Sequence, residues 1–300
     1  MIPFMIDLHS HSSASDGILS PADSARYAAE KGLKAWALTD HDTVSGLCDA
    51  ARICLQNDII FVPGIEINVQ WPTGEFHLLG LGLRTFSDDL KDVVEKAEEA
   101  RKNRNLELVE KMNKDGVEVT LEEIESKFTE SQIGRPHFAA FMVEKGIVKR
   151  RQDAFDRYLN RGRPWYVPHE GIDLDVAVEA VKSAGGVPVL AHPLSLYVSW
   201  GKMEEVISKI RGHGVEGLEA WHPQARLNEG FKLETLAKKL DMIVTAGSDF
   251  HGLGVRADRH LGKTSGDKKI EDRFYFEELL PKLGADYDWK KTEWAESART

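Results

Sequence analysis

The stretch Phe4-Met5-Ile6-Asp7-Leu8-His9-Ser10-His11 is a short apolar run that ends in an acid and two histidines. A polar turn follows it, and then a helix whose opening Ser20-Pro21 suits a serine cap with proline in the first turn. Along an extended chain the side chains of His9 and His11 point to the same side, so both rings can reach one ion. The stretch therefore predicts a buried strand that carries metal-ligating side chains at its carboxyl end.

The same kind of short, nearly continuous apolar run recurs along the chain, with helices between the runs. Six further predicted strands cover residues 35–39, 59–64, 76–81, 187–191, 217–221 and 242–247. Such runs alternating with helices are typical of a buried parallel sheet. The pattern predicts an α/β fold with seven strands.

Imidazole or carboxylate groups accompany nearly every one of these runs. After His9 and His11 they are Asp16, His41, Glu66, His77, His192, His222, Asp249 and His251. A lone histidine after a strand is more often an ordinary loop residue, but the carboxyl ends of barrel strands converge on one mouth. The full set therefore predicts a site with several metal ions. Nitrogen and oxygen ligands without thiolate suit manganese, iron or zinc and disfavour a structural zinc site.

Residues 87–167 lack the alternation of apolar strands and helices seen in the rest of the chain. They are strongly charged and helical in period, with an apolar face at Val93, Val94, Ala97, Leu106, Val109 and Met112. We interpret the charge run from Asp88 to Lys102 as a solvated helix face. Residues 87–167 are thus predicted to be a mostly helical insertion in a discontinuous barrel domain of residues 1–86 and 168–300. The tail from Asp267 is predicted to be peripheral.

Composition excludes several classes of protein. The 300 residues carry 49 acids and 39 bases, and a net charge of -10 argues against a protein that coats nucleic acid through a basic surface. It does not exclude a small phosphate ester, which local cations can bind. No apolar run approaches the ~18 to 20 residues of a membrane span, and no signal peptide is visible. Cys48 and Cys54 cannot build a disulfide framework, so a cytoplasmic protein is expected.

The sequence resembles the PHP (polymerase and histidinol phosphatase) superfamily. The resemblance covers the chain to about residue 265 and rests on six motifs: Asp7-Leu8-His9-Ser10-His11, Thr39-Asp40-His41-Asp42, Gly64-Ile65-Glu66, His77, Ala191-His192-Pro193 and Gly247-Ser248-Asp249-Phe250-His251. It implies a distorted (β/α)7 TIM-like barrel, with two or three divalent ions at its mouth. Manganese is the expected metal, with iron or zinc as alternatives.

The resemblance also implies how the ligands divide among the ions. The first ion would be held by His9, His11, Glu66 and Asp249. Glu66 would bridge to a second ion, which His77 and His192 also bind. The third ion would be held by Asp16, His41 and His251. Each of these positions carries a suitable residue in this sequence, which argues against a metal-free member.

One motif inside the insertion narrows the expected substrate. Gly134-Arg135-Pro136-His137 resembles a motif of PHP phosphoesterases that act on nucleoside 3',5'-bisphosphates and on the 5' ends of short RNA. A guanidinium that binds in bidentate fashion beside an imidazole suits a phosphate group. Taken alone, these four residues fit a capping arginine and a packed histidine better. In the context of the family, Arg135 and His137 are expected to bind substrate.

The remaining histidines do not occupy any of the nine expected ligand positions. His222 ends the sixth predicted strand, and we expect it to contact the phosphate or a metal ligand, with a plain hydrogen-bonded histidine as the alternative. Asp16 and His222 are both candidates for protonating the leaving group. His213, His260 and His169 are interpreted as ordinary polar positions.

The expected function is that of a metal-dependent phosphoesterase. Its expected reaction releases the 3'-phosphate of a nucleoside 3',5'-bisphosphate, with 5'-3' hydrolysis of short RNA as a related activity and the insertion as a lid. The alternatives are a histidinol-phosphate-type phosphatase of small phosphomonoesters and a regulatory nucleotide-binding module without turnover. The expected partner is a small nucleotide or a short-RNA 5' end. No extended nucleic-acid surface, membrane or obligate protein partner is expected.

Overall fold

The computed structural model describes residues 4–128, 132–168, 170–253, 255–256 and 258–299. Seven strands form one sheet whose spatial order is the order of the chain. The strands are β1 (Met5–Asp7), β2 (Leu33–Leu38), β3 (Ile60–Val69), β4 (Phe76–Leu81), β5 (Val187–Leu190), β6 (Gly217–Trp221) and β7 (Ile243–Ala246). Lys263–Thr264 (β8) and Lys268–Lys269 (β9) pair separately. The predicted α/β class and its seven strands are confirmed.

Helices flank the sheet and build the interval between β4 and β5. They are α1 (Pro21–Glu30), α2 (Leu47–Gln56), α3 (Asp88–Lys114), α4 (Leu121–Glu125), α5 (Arg135–Glu144), α6 (Arg151–Ala154), α7 (Leu174–Ser183), α8 (Trp200–Gly212), α9 (Leu227–Lys239), α10 (Leu280–Leu283) and α11 (Glu293–Ser297). Phe155–Leu159 and Phe274–Leu279 are π-helical, and Pro193–Leu196, Ser265–Asp267 and Trp289–Lys291 are 3-10 turns. As predicted, the Ser20 hydroxyl caps α1 by accepting from the Asp23 amide at 3.1 Å.

Strand β4 runs opposite to the expected direction. It pairs antiparallel with both β3 and β5, whereas the other neighbours in the sheet are parallel. The reason is that β3 continues beyond the predicted 59–64 to Val69, which leaves only residues 70–75 for a connection. A parallel crossover needs roughly a dozen residues or more. The reversal pairs His77 with Asn68 and so brings the start of β4 to the edge where β3 ends.

The first and last strands of the sheet contact each other beyond their ends. The Leu8 amide donates to the Ala246 carbonyl at 3.3 Å, and Ser10 forms a parallel bridge with Phe250. The Asp249 amide donates to the His9 carbonyl at 2.9 Å. These bonds bring the ligand-bearing segments after β1 and β7 side by side.

The buried apolar residues form two clusters. The main cluster joins the sheet to its flanking helices, and the second is built from residues between 108 and 167. Helix α3 contributes residues to both clusters, Val93 to the main cluster and Met112 to the second. One predicted position on its apolar face is wrong: Leu106 is 42% exposed and Leu108 is buried instead. Residues 108–167 therefore have a core of their own, while the predicted domain boundaries stay a prediction.

The carboxyl-terminal segment is part of the main core, contrary to the peripheral position expected for it. Trp289 and Trp294 are buried there, and the Trp289 ring lies 6.2 Å from that of Phe61. Helix α11 packs against α2. The tail thus covers apolar surface that the sheet and its helices leave open. None of the helices among the described residues is long and apolar enough to cross a membrane.

Candidate active site

The carboxyl edge of the sheet gathers all nine residues predicted as metal ligands. Their donor atoms fall into overlapping groups whose members lie within 4.8 Å of one another. The groups are His9, His11 and Asp249; His9, Glu66 and His192; His41, Glu66 and His77; His11, Asp16, His41 and His251; and His9, Glu219 and His222. The last group adds Glu219, which was not predicted, and His222.

Glu66 stands at the centre of this cluster. Its Oε2 atom lies 3.3 Å from Nε2 of His9 and 3.2 Å from Nε2 of His11. Its Oε1 atom lies 2.9 Å from Nδ1 of His77 and 2.9 Å from Nε2 of His192. The two carboxylate oxygens thus face two different sets of histidines, as a bridging ligand requires.

Asp16 and His251 lie on the other side of His11. The Asp16 Oδ1 atom lies 3.2 Å from Nε2 of His251, and the rings of His11 and His251 stack with centroids 4.1 Å apart. His41 joins this group, and its Nδ1 atom also lies 3.1 Å from Oε2 of Glu66. His41 therefore lies between two of the groups.

Several donor atoms of the cluster lack the hydrogen bonds that buried polar atoms normally make. Among the described residues, His11 Nδ1, Asp16 Oδ1, His41 Nδ1 and Glu66 Oε2 are buried without a hydrogen-bond partner. The Nε2 atoms of His9 and His11 face each other at 3.2 Å. Buried polar groups without partners are rare and need an explanation. Divalent cations would satisfy these nitrogen and oxygen atoms together, so the residues fit such ions.

The electrostatics of the cluster also favour cations. Burial would raise the pKa of Glu66 and Asp16, but neighbouring histidines, His41 and His251 first among them, hold both well below the usual range. Burial would lower the pKa of His11, yet the carboxylates of Asp249 and Glu66, each 3.2 Å from its Nε2 atom, raise it to about 10. The carboxylates are thus ionised, and in the absence of a cation a proton on His11 balances them.

Glu219 supports the cluster from within β6. Its Oε1 atom lies 2.9 Å from Nδ1 of His9, and its Oε2 atom accepts from the His192 amide at 2.8 Å. Such a carboxylate fixes the tautomer and orientation of a ligating histidine. The signal in the sequence was a glutamate inside the otherwise apolar run 217–221.

Two further buried acids hold the loops that carry ligands. Asp7 accepts from the amides of Ser248 at 3.0 Å and Gly262 at 2.7 Å. Asp40 accepts from the Ser12 amide at 2.7 Å and the Ser15 hydroxyl at 2.6 Å. These bonds fix the segments before Asp249 and Asp16, respectively, without using either ligand.

His222 lies behind the cluster. Its Nε2 atom is 3.3 Å from Asp249 Oδ2 and 3.0 Å from Nη1 of Arg259, and its Nδ1 atom accepts from the Gln224 amide at 3.1 Å. Burial lowers its pKa to about 4 in spite of the nearby acids. His222 does not border the main cleft. Its predicted role as a substrate contact or proton donor stays a prediction.

A cleft of about 710 Å³ opens over the cluster. Four of the nine predicted ligands line it, namely Asp16, His41, His77 and His251. Five arginines also line it, namely Arg101, Arg104, Arg135, Arg151 and Arg256. Four of these five come from the insertion, and only Arg135 was singled out from sequence. A chain with a net charge of -10 thus concentrates cations at this cleft.

The structure separates the two candidate substrate contacts of the insertion. Arg135 borders the main cleft, where its Nη2 atom donates to Oε1 of Glu75 at 2.9 Å. The Nδ1 atom of His137 accepts from the Gly134 amide at 3.0 Å and so caps α5. His137 borders a second, smaller cleft and packs edge-on against Phe128. Binding of substrate by Arg135 and His137 stays a prediction.

Arg101 departs from the solvated face expected for its charge run. Its side chain is 11% exposed and forms an ion pair with Asp42, whereas the other charged members of the run are exposed. Arg104, one helical turn further on, is buried. Charge period alone could not distinguish these two arginines from their solvated neighbours.

The remaining positions are the histidines interpreted as ordinary polar residues, and one tyrosine of the cleft. His213 is exposed and its Nδ1 atom lies 2.7 Å from Oδ1 of Asp175, and His260 is exposed as well. His169 lies outside the described residues. Tyr197 was not singled out from sequence, but it lines the cleft with 79% of its surface exposed.

Known proteins resemble this chain in sequence and in fold. The PHP domain family matches residues 7–159. The chain is 32% identical to the 3',5'-nucleoside bisphosphate phosphatase of Chromobacterium violaceum, over 86% of this chain and 91% of that protein. It is 30% identical to a 5'-3' exoribonuclease of Haemophilus influenzae, over 82% of this chain and 89% of that protein. A solved structure from Bifidobacterium adolescentis, reported as a metal-dependent phosphoesterase, aligns with a TM-score of 0.82 at 28% identity. The alignment covers 95% of this chain and 98% of that chain. The chain belongs to the PHP family.

Proposed function

We propose that this protein is a metal-dependent phosphoesterase that hydrolyses phosphate esters of nucleotides. The preferred reaction releases the 3'-phosphate of a nucleoside 3',5'-bisphosphate and leaves a 5'-mononucleotide. The observation that carries the proposal is one cleft lined both by four of the nine clustered ligands and by five arginines. The relatives that act on nucleoside bisphosphates and on RNA support it.

The nine clustered residues are proposed to hold two or three divalent ions, with manganese as the expected metal and iron or zinc as alternatives. When bound, such ions supply a nucleophile near neutral pH by lowering the pKa of water, and they offset charge on the phosphate. Glu66 suits the bridging position because its two oxygens face separate sets of histidines.

The residues of the chain bind and orient the substrate. Water adds to phosphorus, the bond from phosphorus to the 3'-oxygen breaks, and that oxygen takes up a proton. Arg135 offers a planar pair of donors to the phosphate, which favours the in-line geometry. Asp16 borders the cleft, and its ionised carboxylate is proposed to relay a proton from water to that oxygen, whereas buried His222 is proposed to act on the site through Asp249. Tyr197 offers an exposed ring on which a base can stack.

Hydrolysis of short RNA from the 5' end is the second candidate. It breaks the same bond, because cutting between the 3'-oxygen and phosphorus releases a 5'-mononucleotide. The second cleft, of about 330 Å³, shares Asp16, Pro136 and Arg151 with the first. A strand longer than one nucleotide could continue along that path.

The scaffold has a proposed role in this function too. We expect the sheet to close as a distorted barrel, since the Leu8 and Ser10 backbone already bonds with the segment that ends β7. The insertion of residues 87–167 acts as a lid, because it supplies four of the five arginines that line the cleft. The ligand-bearing edge then forms the floor of the cleft.

Chromatography of reaction products tests the proposal. Manganese-loaded protein is incubated with adenosine 3',5'-bisphosphate and, separately, with a 5'-phosphorylated RNA trimer. AMP and phosphate from the bisphosphate, with the trimer intact, support the nucleotide phosphatase. Stepwise mononucleotides from the trimer support the exonuclease. If neither is cut but histidinol phosphate is, the alternative small-ester phosphatase holds, and binding without turnover indicates the regulatory module.

A further inference from the structure

We propose that the second cleft, of about 330 Å³, is a subsite for one nucleotide of a leaving RNA strand, namely the nucleotide on the 3' side of the bond that breaks. This inference rests on the proposed function and specifies its substrate: a 5'-phosphorylated single strand of two or more nucleotides. A nucleoside 3',5'-bisphosphate has no such nucleotide and leaves the subsite empty. The subsite therefore distinguishes the two candidate substrates from each other.

The second cleft offers an apolar surface on which a base can lie. Phe128 lines it, and so does Ile18, which is 50% exposed. The ring of His137 packs edge-on against that of Phe128, with centroids 4.8 Å apart, and so supports the orientation of Phe128. Bases of any sequence stack on aromatic rings. An exposed apolar side chain beside such a ring extends the surface available to the base.

His137 adds a directed hydrogen-bond donor to this surface. Its Nδ1 atom accepts from the Gly134 amide at 3.0 Å, so Nδ1 carries no proton. Burial, and then the charges of Arg101 and Arg151, lower the pKa of His137, so the ring is neutral and its proton lies on Nε2. His137 lines the second cleft and is absent from the described lining of the main cleft. The Nε2 proton is therefore available to an oxygen or nitrogen acceptor of a nucleotide there.

The charges along the second cleft suit a phosphodiester strand. Lys127, which also pairs with Glu144, and the exposed Arg151 both line it. Asp16 is the one acid among the described residues of the lining, and its carboxylate belongs to the metal-binding cluster. Lysine and arginine bind the phosphates of nucleic acids without reading their sequence. The cleft thus combines an aromatic ring, a neutral donor and two cations.

The position of the second cleft matches the direction in which a cut strand leaves. Asp16, Pro136 and Arg151 line both clefts, so the two adjoin beside a ligand of the cluster. Breaking the bond between the 3'-oxygen and phosphorus leaves the reacting phosphate at the 5' end of the departing strand. With that phosphate at the cluster and the first nucleotide in the main cleft, the next nucleotide enters the second cleft. A volume of about 330 Å³ is near the lower end for small-ligand pockets, which suits one nucleotide.

The test compares substrates that differ only in the second nucleotide. Formation of AMP is measured with manganese-loaded protein from adenosine 3',5'-bisphosphate, from 5'-phosphorylated ApA, and from the same dinucleotide with an abasic second ribose. The test variant is Phe128→Leu, which removes the ring and keeps an apolar side chain. Calorimetry of 5'-phosphorylated ApA and of AMP with metal-free protein gives a second readout that does not depend on turnover.

Phe231→Leu is the matched control. Phe231 is 58% exposed, and its ring also packs edge-on against another ring, that of Trp221. It lies on α9, outside the described lining of either cleft. The control therefore makes the same substitution at an aromatic contact remote from both clefts.

We expect Phe128→Leu to lower kcat/KM for the dinucleotide roughly 5- to 100-fold, because stacking of a base on an aromatic ring is lost. For the bisphosphate and for the abasic dinucleotide it changes by less than about threefold, since neither has a second base. Wild-type protein binds the dinucleotide more tightly than AMP, and Phe128→Leu reduces that difference. Phe231→Leu leaves all three rates unchanged. If Phe128→Leu does not fold, Ala140→Phe, which narrows the cleft from α5, is judged by the difference between dinucleotide and bisphosphate.

An equal loss on the dinucleotide and the bisphosphate, or no loss on either, overturns the subsite and leaves the proposed function intact. A loss on the abasic dinucleotide as large as on the intact one overturns the contact with the base. If wild-type protein cuts none of the compounds, the proposed function fails and binding alone decides. Tighter binding of the dinucleotide than of AMP that depends on Phe128 then supports the subsite, and equal binding of the two overturns it.

Discussion

The Nδ1 atom of His9 lies 2.9 Å from Oε1 of Glu219, and both side chains are buried. Since an ionised carboxylate can only accept, the Nδ1 atom of His9 carries the proton. The Nε2 atom is then left to face Glu66 and His11. A glutamate in β6 therefore determines which nitrogen of a histidine after β1 is available to a metal ion.

Glu219→Gln is expected to weaken manganese binding about 10- to 100-fold, because loss of a carboxylate behind a ligating histidine has that effect in other metal sites. Calorimetric titration of metal-free protein measures the affinity. Glu216→Gln is the control, since Glu216 lies in the same region but pairs with Lys182 and Lys282 outside the site. Equal affinities for Glu219→Gln and wild type would refute the orienting role.

His192→Ala and Arg135→Ala are expected to fail in different ways. His192→Ala should lower turnover by more than about 100-fold and reduce the metal content, because a direct ligand matters more than its supporting shell. Arg135→Ala should lower kcat/KM about 10- to 100-fold with the metal content unchanged. Elemental analysis beside the assay separates the two. Full turnover in Arg135→Ala would remove Arg135 from the substrate contacts and leave the metal site intact.

Metal binding is expected to release protons. In the metal-free cluster, the nearby carboxylates of Asp249 and Glu66 outweigh burial and raise the pKa of His11 to about 10, so His11 is protonated at pH 7. A ligating imidazole must be neutral, so manganese displaces that proton and binds more tightly as pH rises from 6 to 8. Calorimetry in buffers of different ionisation enthalpy counts the protons. A binding enthalpy independent of the buffer would contradict the expectation.

Glu75→Gln is expected to improve substrate binding. Hydrogen bonding and charge from His77 and Arg135 outweigh burial and lower the pKa of Glu75 to about 2, so it is ionised at every working pH. Its negative charge forms an ion pair with Arg135 and repels the phosphate of the substrate. Because exposed ion pairs contribute up to about 1 kcal/mol, we expect KM for the bisphosphate to fall about 2- to 5-fold. A higher KM would show that Glu75 positions Arg135 for the substrate.

Much of the sheet and the cluster could be predicted from sequence because short apolar runs and their polar ends are local signals. The direction of β4 could not, since an apolar run looks the same in either orientation. The direction of β4 follows from the length of the connection between β3 and β4. That connection is short because β3 extends to Val69. The strand predicted from sequence ends at Gly64, which leaves a longer connection than the structure has.

The arginines of the cleft illustrate a different limit. Arg101 and Arg104 stand in a helix rich in charges, where a buried guanidinium has the same pattern as a solvated one. Only the three-dimensional structure shows that these two are buried or nearly so and line the cleft. Glu219 gave a stronger local signal, because a charge inside a buried strand requires a partner.

The proposed function requires that the nine clustered residues hold the ions that hydrolyse a nucleotide phosphate. The most direct test titrates manganese into chelator-treated protein while phosphate release from adenosine 3',5'-bisphosphate and the number of bound ions are measured together. We predict no release from the stripped protein and a rate that rises with the second or third bound ion. Undiminished release without metal, or no release at full occupancy, would show that these residues do not hold the ions that act on the phosphate.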